Sequence, residues 1–209
     1  MKLKNNDLVG LAVTIGFSGF LAFAYGFGIY LFPVLGPDMR LDLDFSYTEM
    51  GFVAAGIQAG FIFSSAVTGA VAPRFGELRV IYLSMLFCGV CLLALSQVRT
   101  SAEAALVLVF VGFVPASTWI PMVAVVRRYI QFNRRGLVFG LLSGSGGYGA
   151  IINGQVVPIL QHEIGWRGVW IVTGSTTIGM TLACILLFRF LGVTDKQKPS
   201  PEAAATLPA

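Results

Sequence analysis

The stretch that decides the fold is GAVAPRFGELR, residues 69–79. It separates two long apolar runs, and it carries two arginines, Arg74 and Arg79. Proline lacks the backbone N–H that a continuing helix needs, so we expect Pro73 to end the first helix. Glycine tolerates the backbone angles of a tight turn, so we expect Gly76 to form one. The stretch therefore predicts a short charged turn between two apolar helices.

The composition of the chain indicates an integral membrane protein. Of its 209 residues, 56% are hydrophobic and 11% are charged, and the mean hydropathy is +0.81. Soluble domains carry about 25% charged residues, so this chain has too little polar surface for a water-soluble globule. The net charge of +4 is explained by where the basic residues lie between the apolar runs. We expect lipid, and no nucleic acid, as its surroundings.

Six apolar stretches are long enough to cross a bilayer, which takes about 20 residues. None of them contains Asp, Glu, Lys or Arg. We predict an all-α membrane protein with a six-helix bundle over residues 1–191, whose spans cover about 8–32, 50–72, 80–97, 104–126, 137–160 and 168–188. Residues 192–209 are rich in Pro, Ala and charge, which predicts a flexible cytoplasmic tail or the start of a central linker.

Basic residues alternate between the connections of the predicted helices. If the N-terminus lies inside, the inner segments hold 11 of the 14 Lys and Arg residues, and the outer loops hold Arg40, Arg99 and Arg167. Cytoplasmic loops carry the excess of Lys and Arg. The pattern predicts that both termini are cytoplasmic. We expect a multi-pass protein of a bacterial inner membrane.

Residues 69–79 resemble the signature that the major facilitator superfamily carries between its second and third helices, G-x-L-a-D-R-x-G-r-R. The matching residues are Gly69, Arg74, Gly76 and Arg79, and the resemblance implies that they form a cytoplasmic gate. Pro73 replaces the Asp that holds the cytoplasmic side closed in that family, and Glu77 could supply a substitute charge. The alternative is a generic basic turn.

Further stretches are similar to the monocarboxylate and oxalate–formate branch of that superfamily. They are YGFGIYLFPVL at 25–35, RRGLVFGLLSGSGGYG at 134–149 and GWR at 165–167. The resemblance implies the N-terminal half of a transporter with twelve helices, which carries a small organic solute by alternating access around a midplane site. A monocarboxylate or another organic anion is the implied solute.

A six-helix half implies a second half as partner. It could be a missing C-terminal half, a separate chain or a second copy. The alternative function is that of a truncated, transport-incompetent membrane protein that acts as an interaction or assembly subunit.

Small residues recur about every four positions on two predicted helices. Such stripes let helix backbones approach closely in lipid. In the superfamily these helices pack across the interface between the halves, so the resemblance implies contact with the partner half. The alternative is packing within the chain. The stripes comprise Gly56, Gly60 and Ser64 on the second helix, and Gly136, Gly140, Gly144 and Gly147 on the fifth.

Polar and aromatic side chains at middle depth are candidates for a substrate cavity. Hydroxyl and amide groups are costly in lipid unless they are paired, so they line a wet cavity or bond to a neighbouring helix. The resemblance implies that helices 1 and 4 line that cavity. The candidates are Thr14, Ser18, Tyr25, Gln58, Ser117, Trp119 and Asn153.

Three motifs suggest other chemistry, and each is weak. GSGGYG at 144–149 fits the dinucleotide pattern G-x-G-x-x-G, but it lies inside an apolar span with no preceding strand. Cys88 and Cys91 lie inside one helix, as apolar filler. The only histidine, His162, lies in an outer loop, which argues against a buried catalytic pair with Ser18. We predict no enzyme activity, no cofactor and no metal site.

Overall fold

The computed structural model describes the backbone of residues 2–195 and the side chains of residues 8–195, and this part of the chain is helical with short turns. The part of the predicted tail at 196–209 lies outside the described residues. The elements in chain order are α1 (Lys2–Tyr25), a π-helical segment (Gly26–Tyr30), α2 (Leu31–Leu43), α3 (Tyr47–Phe75), α4 (Glu77–Leu95), α5 (Ser101–Tyr129) and α6 (Phe132–Phe190).

Five helical stretches are long and apolar enough to cross a membrane: Leu8–Leu43, Tyr47–Phe75, Glu77–Leu95, Ser101–Tyr129 and Phe132–Phe190. Large apolar side chains also point outward along the bundle. Phe52 is 73% exposed, and Leu83 and Leu186 are each 67% exposed. So much apolar surface is stable only in lipid. The prediction of an integral multi-pass membrane protein is confirmed.

The last of these stretches, α6, is not a single straight rod. Its 59 residues would measure about 88 Å at 1.5 Å per residue, but Gly165 has the non-helical angles φ 67° and ψ 171°. Ser145, before that break, contacts Ser18 of α1, and Phe188, after it, contacts Phe17 of α1. The chain therefore reverses at Gly165. The prediction of six membrane crossings stays a prediction, as does that of two cytoplasmic termini.

The turn at 69–79 differs from its prediction in one respect. Pro73 does not end the helix, because α3 continues to Phe75. Proline lacks the N–H that would bond the carbonyl four residues earlier, and its ring crowds that carbonyl. The carbonyl belongs to the exposed Gly69, in the last turns of the helix. Gly76 ends α3, with φ 98° and ψ 129°, which is a conformation that favours glycine.

The predicted loop after the first span is mostly helical. The helix of α2 continues through Pro37 to Leu43, and α3 begins at Tyr47. Ser46 caps α3 in a reciprocal box, since its hydroxyl accepts from the Glu49 N–H and the Glu49 carboxylate accepts from the Ser46 N–H. Such a box satisfies two backbone donors that a helix start leaves unpaired. The connection is thereby reduced to three residues.

The core lies between α1, α4, α5 and the second segment of α6. Phe17 packs edge-on against Phe188, with ring centroids 5.6 Å apart. Phe20 packs in the same way against Tyr82 of α4, at 6.4 Å. Thr118 of α5 contacts the Met85 sulfur of α4 at 3.7 Å. These contacts fix the faces that α1 and α5 turn inward.

The small stripe on α3 packs inside the chain. The Ser64 hydroxyl donates to the Phe113 carbonyl of α5 at 2.8 Å. A Cβ at Gly60 would lie 2.8 Å from the Phe113 ring, and one at Gly56 would lie 2.8 Å from Val109. On the facing helix, a Cβ at Gly112 would collide with the α3 backbone. The α3 stripe therefore contacts α5 and is not open to a partner half.

One end of the bundle, which we call the basic end, is held together by Glu77, Arg128 and Asp195. Arg128 pairs with Glu77 at 3.2 Å and donates to the Asp195 carbonyl at 3.0 Å. The Asp195 carboxylate accepts from the Leu78 N–H at 2.8 Å. A carboxylate at this position stabilises the N-terminus of α4, where backbone donors are unpaired.

The opposite end is joined by Arg167. Its guanidinium donates to the carbonyls of Ser96 and Val98, at 3.2 and 2.7 Å, and to the Asp42 carboxylate at 3.0 Å. It also lies over the Trp166 ring, 4.2 Å from the centroid. One side chain thus connects α2, the end of α4 and the second segment of α6.

Candidate functional site

A cleft of about 270 Å³ opens between α1, α5 and the first segment of α6. Its walls combine aromatic rings with glycines and a hydroxyl. None of its lining side chains is an Asp, Glu, Lys, Arg or His. The lining residues are Tyr25, Tyr30, Trp119, Leu142, Ser143, Gly146 and Gly147.

The cleft lies near the middle of the bundle. A Cβ at Gly10 would lie 3.3 Å from Ile130, so Gly10 marks the basic end of α1, and Asp42 marks the opposite end. Tyr25 is 15 residues from Gly10 and 17 from Asp42, or about 22 and about 25 Å at 1.5 Å per residue. The tyrosine is therefore roughly equidistant from the two ends.

The π-helical segment brings Tyr25 and Tyr30 together. Residues five apart on an α-helix point about 140° away from each other. A π-turn bonds residue i to residue i+5, and single π-turns are frequent at functional sites. Here the two ring centroids are 6.5 Å apart, with the ring planes inclined by 36°. The change of helix type therefore places both rings in one wall of the cleft.

Asn153 holds this segment from α6. Its side-chain amide donates to the Gly26 carbonyl at 2.6 Å, and the side chain is 1% exposed. The two helices approach closely at this level, because a Cβ at Gly26 would lie 2.8 Å from the Gly149 Cα atom. Gly149 has no room for a methyl group either, since one would collide with the Ala22 carbonyl.

The stretch GSGGYG at 144–149 forms part of the cleft wall and of the contact with α1. A Cβ at Gly146 would lie 3.6 Å from Tyr25, whereas one at Gly147 would meet no described atom within 4 Å. The face toward α1 is formed by Ser145, Gly149 and Asn153, which recur every four residues. Sequence reasoning missed Gly149 and Gly146. The four-residue spacing of Ser145, Gly149 and Asn153 was a signal that could have identified Gly149.

The remaining glycines of the predicted α6 stripe are open. At Gly136 and Gly140 a Cβ would meet no described atom within 4 Å. At Gly144 it would meet only Tyr148 of the same helix. This face of α6 therefore packs against no other helix in the described part of the chain.

Two of the seven predicted cavity residues, Tyr25 and Trp119, line the cleft. Ser18 and Asn153 lie where α1 meets α6, and the Ser18 and Ser145 hydroxyl oxygens are 2.7 Å apart. Sequence reasoning missed Tyr30 and Ser143. No periodicity could reveal Tyr30, because the π-turn shifts the phase of the helix.

The other three predicted cavity residues lie away from the cleft lining. Thr14 donates to the Gly10 carbonyl of its own helix at 2.8 Å. Ser117 donates to the Phe113 carbonyl one turn earlier at 2.9 Å. Gln58 is exposed on α3. The transport roles of all seven residues stay predictions.

The predicted gate residues divide into two groups. Gly76 and the adjacent Glu77 belong to the contacts of the basic end, so Glu77 does carry an ion pair, with Arg128. Gly69, Arg74 and Arg79 are exposed. For both arginines, the described residues provide no hydrogen bond or ion pair. Their role as a gate stays a prediction.

The motifs that suggested other chemistry lie apart from one another. His162 is 89% exposed beside Glu163, while Ser18 is engaged with Ser145. Cys88 and Cys91 are buried in α4. Across residues 8–195 no group of three or more His, Cys, Asp or Glu could hold a metal ion.

Comparison with known proteins decides the family. A family model of the Major Facilitator Superfamily matches residues 18–209. The chain belongs to the Major Facilitator Superfamily. This match confirms, at the level of the superfamily, the resemblance seen at residues 69–79. The superfamily consists of transport proteins rather than enzymes. The monocarboxylate branch stays a prediction.

Several bacterial members of the superfamily are similar to the chain. The gentisate transporter of Corynebacterium glutamicum is 24% identical over 166 residues, which are 79% of this chain and 36% of that protein. The "Probable galactarate/D-glucarate transporter GudP" of Bacillus subtilis is 25% identical over 160 residues, 74% of this chain and 35% of that protein. Multidrug resistance protein MdtL of Klebsiella pneumoniae is 24% identical over 184 residues, which are 88% of this chain and 46% of that protein. The chain thus spans between about a third and a half of the length of these relatives.

Proposed function

We propose that this chain carries a small organic solute across a bacterial inner membrane as one half of an alternating-access transporter. In this proposal the two segments of α6 each cross the bilayer, which makes six crossings. The basic end is cytoplasmic, because Lys and Arg concentrate there. The solute binds in the cleft between Tyr25, Tyr30 and Trp119.

The depth of the cleft carries this proposal. Transporters of this kind bind their solute near the bilayer midplane, between two repeats that rock against each other. Tyr25 lies roughly equidistant from Gly10 and Asp42, which belong to the two ends of the bundle. A polar, aromatic cleft at that depth is costly in lipid unless water or solute fills it.

A second six-helix unit would cover the open glycine face of α6. Gly136, Gly140 and Gly147 leave space that no described atom occupies, and Gly147 also lines the cleft. Small residues permit close helix contact in a membrane. A partner half seated on this face would close the cleft from the remaining side.

An organic acid is the solute class that we propose. Two of the relatives are named for gentisate and for galactarate and D-glucarate, which are organic acids. The cleft lining contains no basic side chain, so the counter-charge comes from the second half. The side chains of the cleft lining supply hydroxyl and indole donors, which suit carboxylate and hydroxyl oxygens.

Uptake into membrane vesicles tests the proposal. The chain would be co-expressed with the second half of the C. glutamicum gentisate transporter, and uptake of radiolabelled gentisate and D-glucarate would be measured. We expect saturable uptake of at least one solute, lowered about tenfold or more by Trp119→Ala, which removes an aromatic wall of the site.

Tyr47→Ala is the matched control. Tyr47 is an aromatic residue at the start of α3, 76% exposed and distant from the cleft, so uptake should be unchanged. Immunoblots would show that both halves reach the membrane. The baseline is uptake into vesicles that lack this chain. If vesicles that contain both halves show no more uptake than that baseline, transport is overturned in favour of an assembly subunit.

A further inference from the structure

The cleft has a chemistry more specific than that of a general organic-acid site. We propose that it selects solutes with a planar aromatic ring that carries oxygen substituents, and that the ring lies against Tyr25, Tyr30 and Trp119. The inference rests on the proposed function, to which it adds the chemical class of the solute.

Three aromatic side chains contribute to the lining, one each from α1, the π-helical segment and α5. Tyr25 and Tyr30 already lie at a distance typical of paired rings, about 4.5–7 Å between centroids, so they act as one wall. Trp119 adds a ring from α5. The volume of about 270 Å³ is slightly below the range of about 300–1,000 Å³ that is usual for drug-sized ligands. A single substituted ring is a solute of suitable size.

The polar groups of the lining are free to bind a solute. Within residues 8–195 the structure shows no hydrogen-bond partner for the phenol oxygens of Tyr25 and Tyr30, the Ser143 hydroxyl or the Trp119 indole N–H. The indole N–H only donates, and hydroxyl groups donate readily. The groups that complement them are acceptors, which are the carboxylate or phenolic oxygens of a substituted ring.

A quaternary ammonium ion is the competing ligand for an aromatic cleft. It would interact with the ring faces through its charge, but it has no lone pair to accept a hydrogen bond. The half-buried Tyr25 hydroxyl and Trp119 indole N–H would then stay unpaired in the occupied cleft, which costs binding free energy. The lining therefore favours the oxygen-bearing ring over the cation.

Paired ligands separate ring stacking from size and charge. The purified chain in lipid nanodiscs would be titrated with 4-hydroxybenzoate and with trans-4-hydroxycyclohexanecarboxylate, which share substituents but differ in aromaticity, and also with tetramethylammonium. We expect 4-hydroxybenzoate to bind about tenfold more tightly than its saturated counterpart, since each aromatic contact adds a few-fold. Trp119→Leu should lower that ratio to about threefold, whereas Trp119→Phe and the control Tyr47→Leu should retain most of it.

The wild-type comparison decides the inference without relying on any variant. Equal affinity for the two carboxylates, tighter binding of tetramethylammonium, or no measurable binding of 4-hydroxybenzoate would overturn it. Uptake of solutes without aromatic preference would overturn this inference and leave transport standing. Selective aromatic binding without uptake of any tested solute would uphold the inference and overturn transport.

Discussion

The Asn153 side-chain amide donates to the Gly26 carbonyl at 2.6 Å, across a sequence separation of 127 residues. That carbonyl begins the π-helical segment, so the bond stabilises the backbone that pairs Tyr25 with Tyr30. The shape of the cleft therefore depends on Asn153, which is not one of its lining residues.

Replacing Asn153 should weaken the fold and the aromatic pair together. We expect Asn153→Leu to lower the free energy of unfolding by about 1–3 kcal/mol, because the buried Gly26 carbonyl would lose its donor. Thermal unfolding in nanodiscs measures this, and near-UV circular dichroism reports on the tyrosines. Gln155→Leu removes an exposed amide on the same helix and should change stability by less than about 0.5 kcal/mol. An equal loss of unfolding free energy in Asn153→Leu and Gln155→Leu would contradict a stabilising role for the bond from Asn153 to Gly26.

Two glycines on α6 should respond oppositely to the same substitution. Gly149→Ala places a methyl group against the Ala22 carbonyl, and we expect a loss of about 1–3 kcal/mol from overpacking. Gly154→Ala adds a methyl group where nothing lies within 4 Å, and alanine is favoured over glycine in a helix by up to about 1 kcal/mol. Unfolding midpoints of the two variants provide the comparison. A stable Gly149→Ala protein would mean that the two helices do not meet there.

The Asp195 carboxylate should stabilise the start of α4. We expect Asp195→Ala to cost about 0.5–2 kcal/mol, the usual range for a lost helix cap, because the Leu78 N–H would lose its acceptor. Glu163→Ala is the control, since that side chain is 72% exposed at the opposite end. Heat denaturation would be followed by circular dichroism. If the control is as destabilised as Asp195→Ala, the contact at the basic end has no specific effect.

Arg167 should be sensitive even to lysine. Its guanidinium reaches two carbonyls and a carboxylate at once, whereas a lysine ammonium lacks the planar fork for that arrangement. We expect Arg167→Lys to cost about 1 kcal/mol or more, read from the unfolding midpoint. Arg99→Lys changes an exposed arginine of the same end, and its midpoint should not move. If Arg167→Lys leaves the unfolding midpoint unchanged, the positive charge alone is sufficient for the stability of this end.

Much of the architecture could be read from apolar runs and charges. Each long run without Asp, Glu, Lys or Arg became helical, because a backbone in lipid must satisfy its own hydrogen bonds. Gly76 could be recognised as a turn, since few other residues tolerate its φ of 98°. The family resemblance rested on the same turn. These are local properties, which need no knowledge of neighbouring helices.

The candidate site was less predictable, because it depends on helix phase. Tyr25 and Trp119 could be proposed from their depth and type. Tyr30 could not, since on a regular helix it would point about 140° away from Tyr25. For the glycines, regular spacing marked Gly136 and Gly140, but the close contact with α1 is at Gly149.

The sequence by itself determined the membrane helices, the charged turns and the family, because hydrophobicity, charge and glycine conformation act within a few residues. The tertiary structure decided which face of each helix meets which neighbour. A π-turn shifts every later side chain on its helix, and here it is held by Asn153 from another helix. Asp195, at the end of the described chain, likewise caps α4 from 117 residues away. Contacts between distant segments have no periodic signature in the sequence, so the fold alone specifies them.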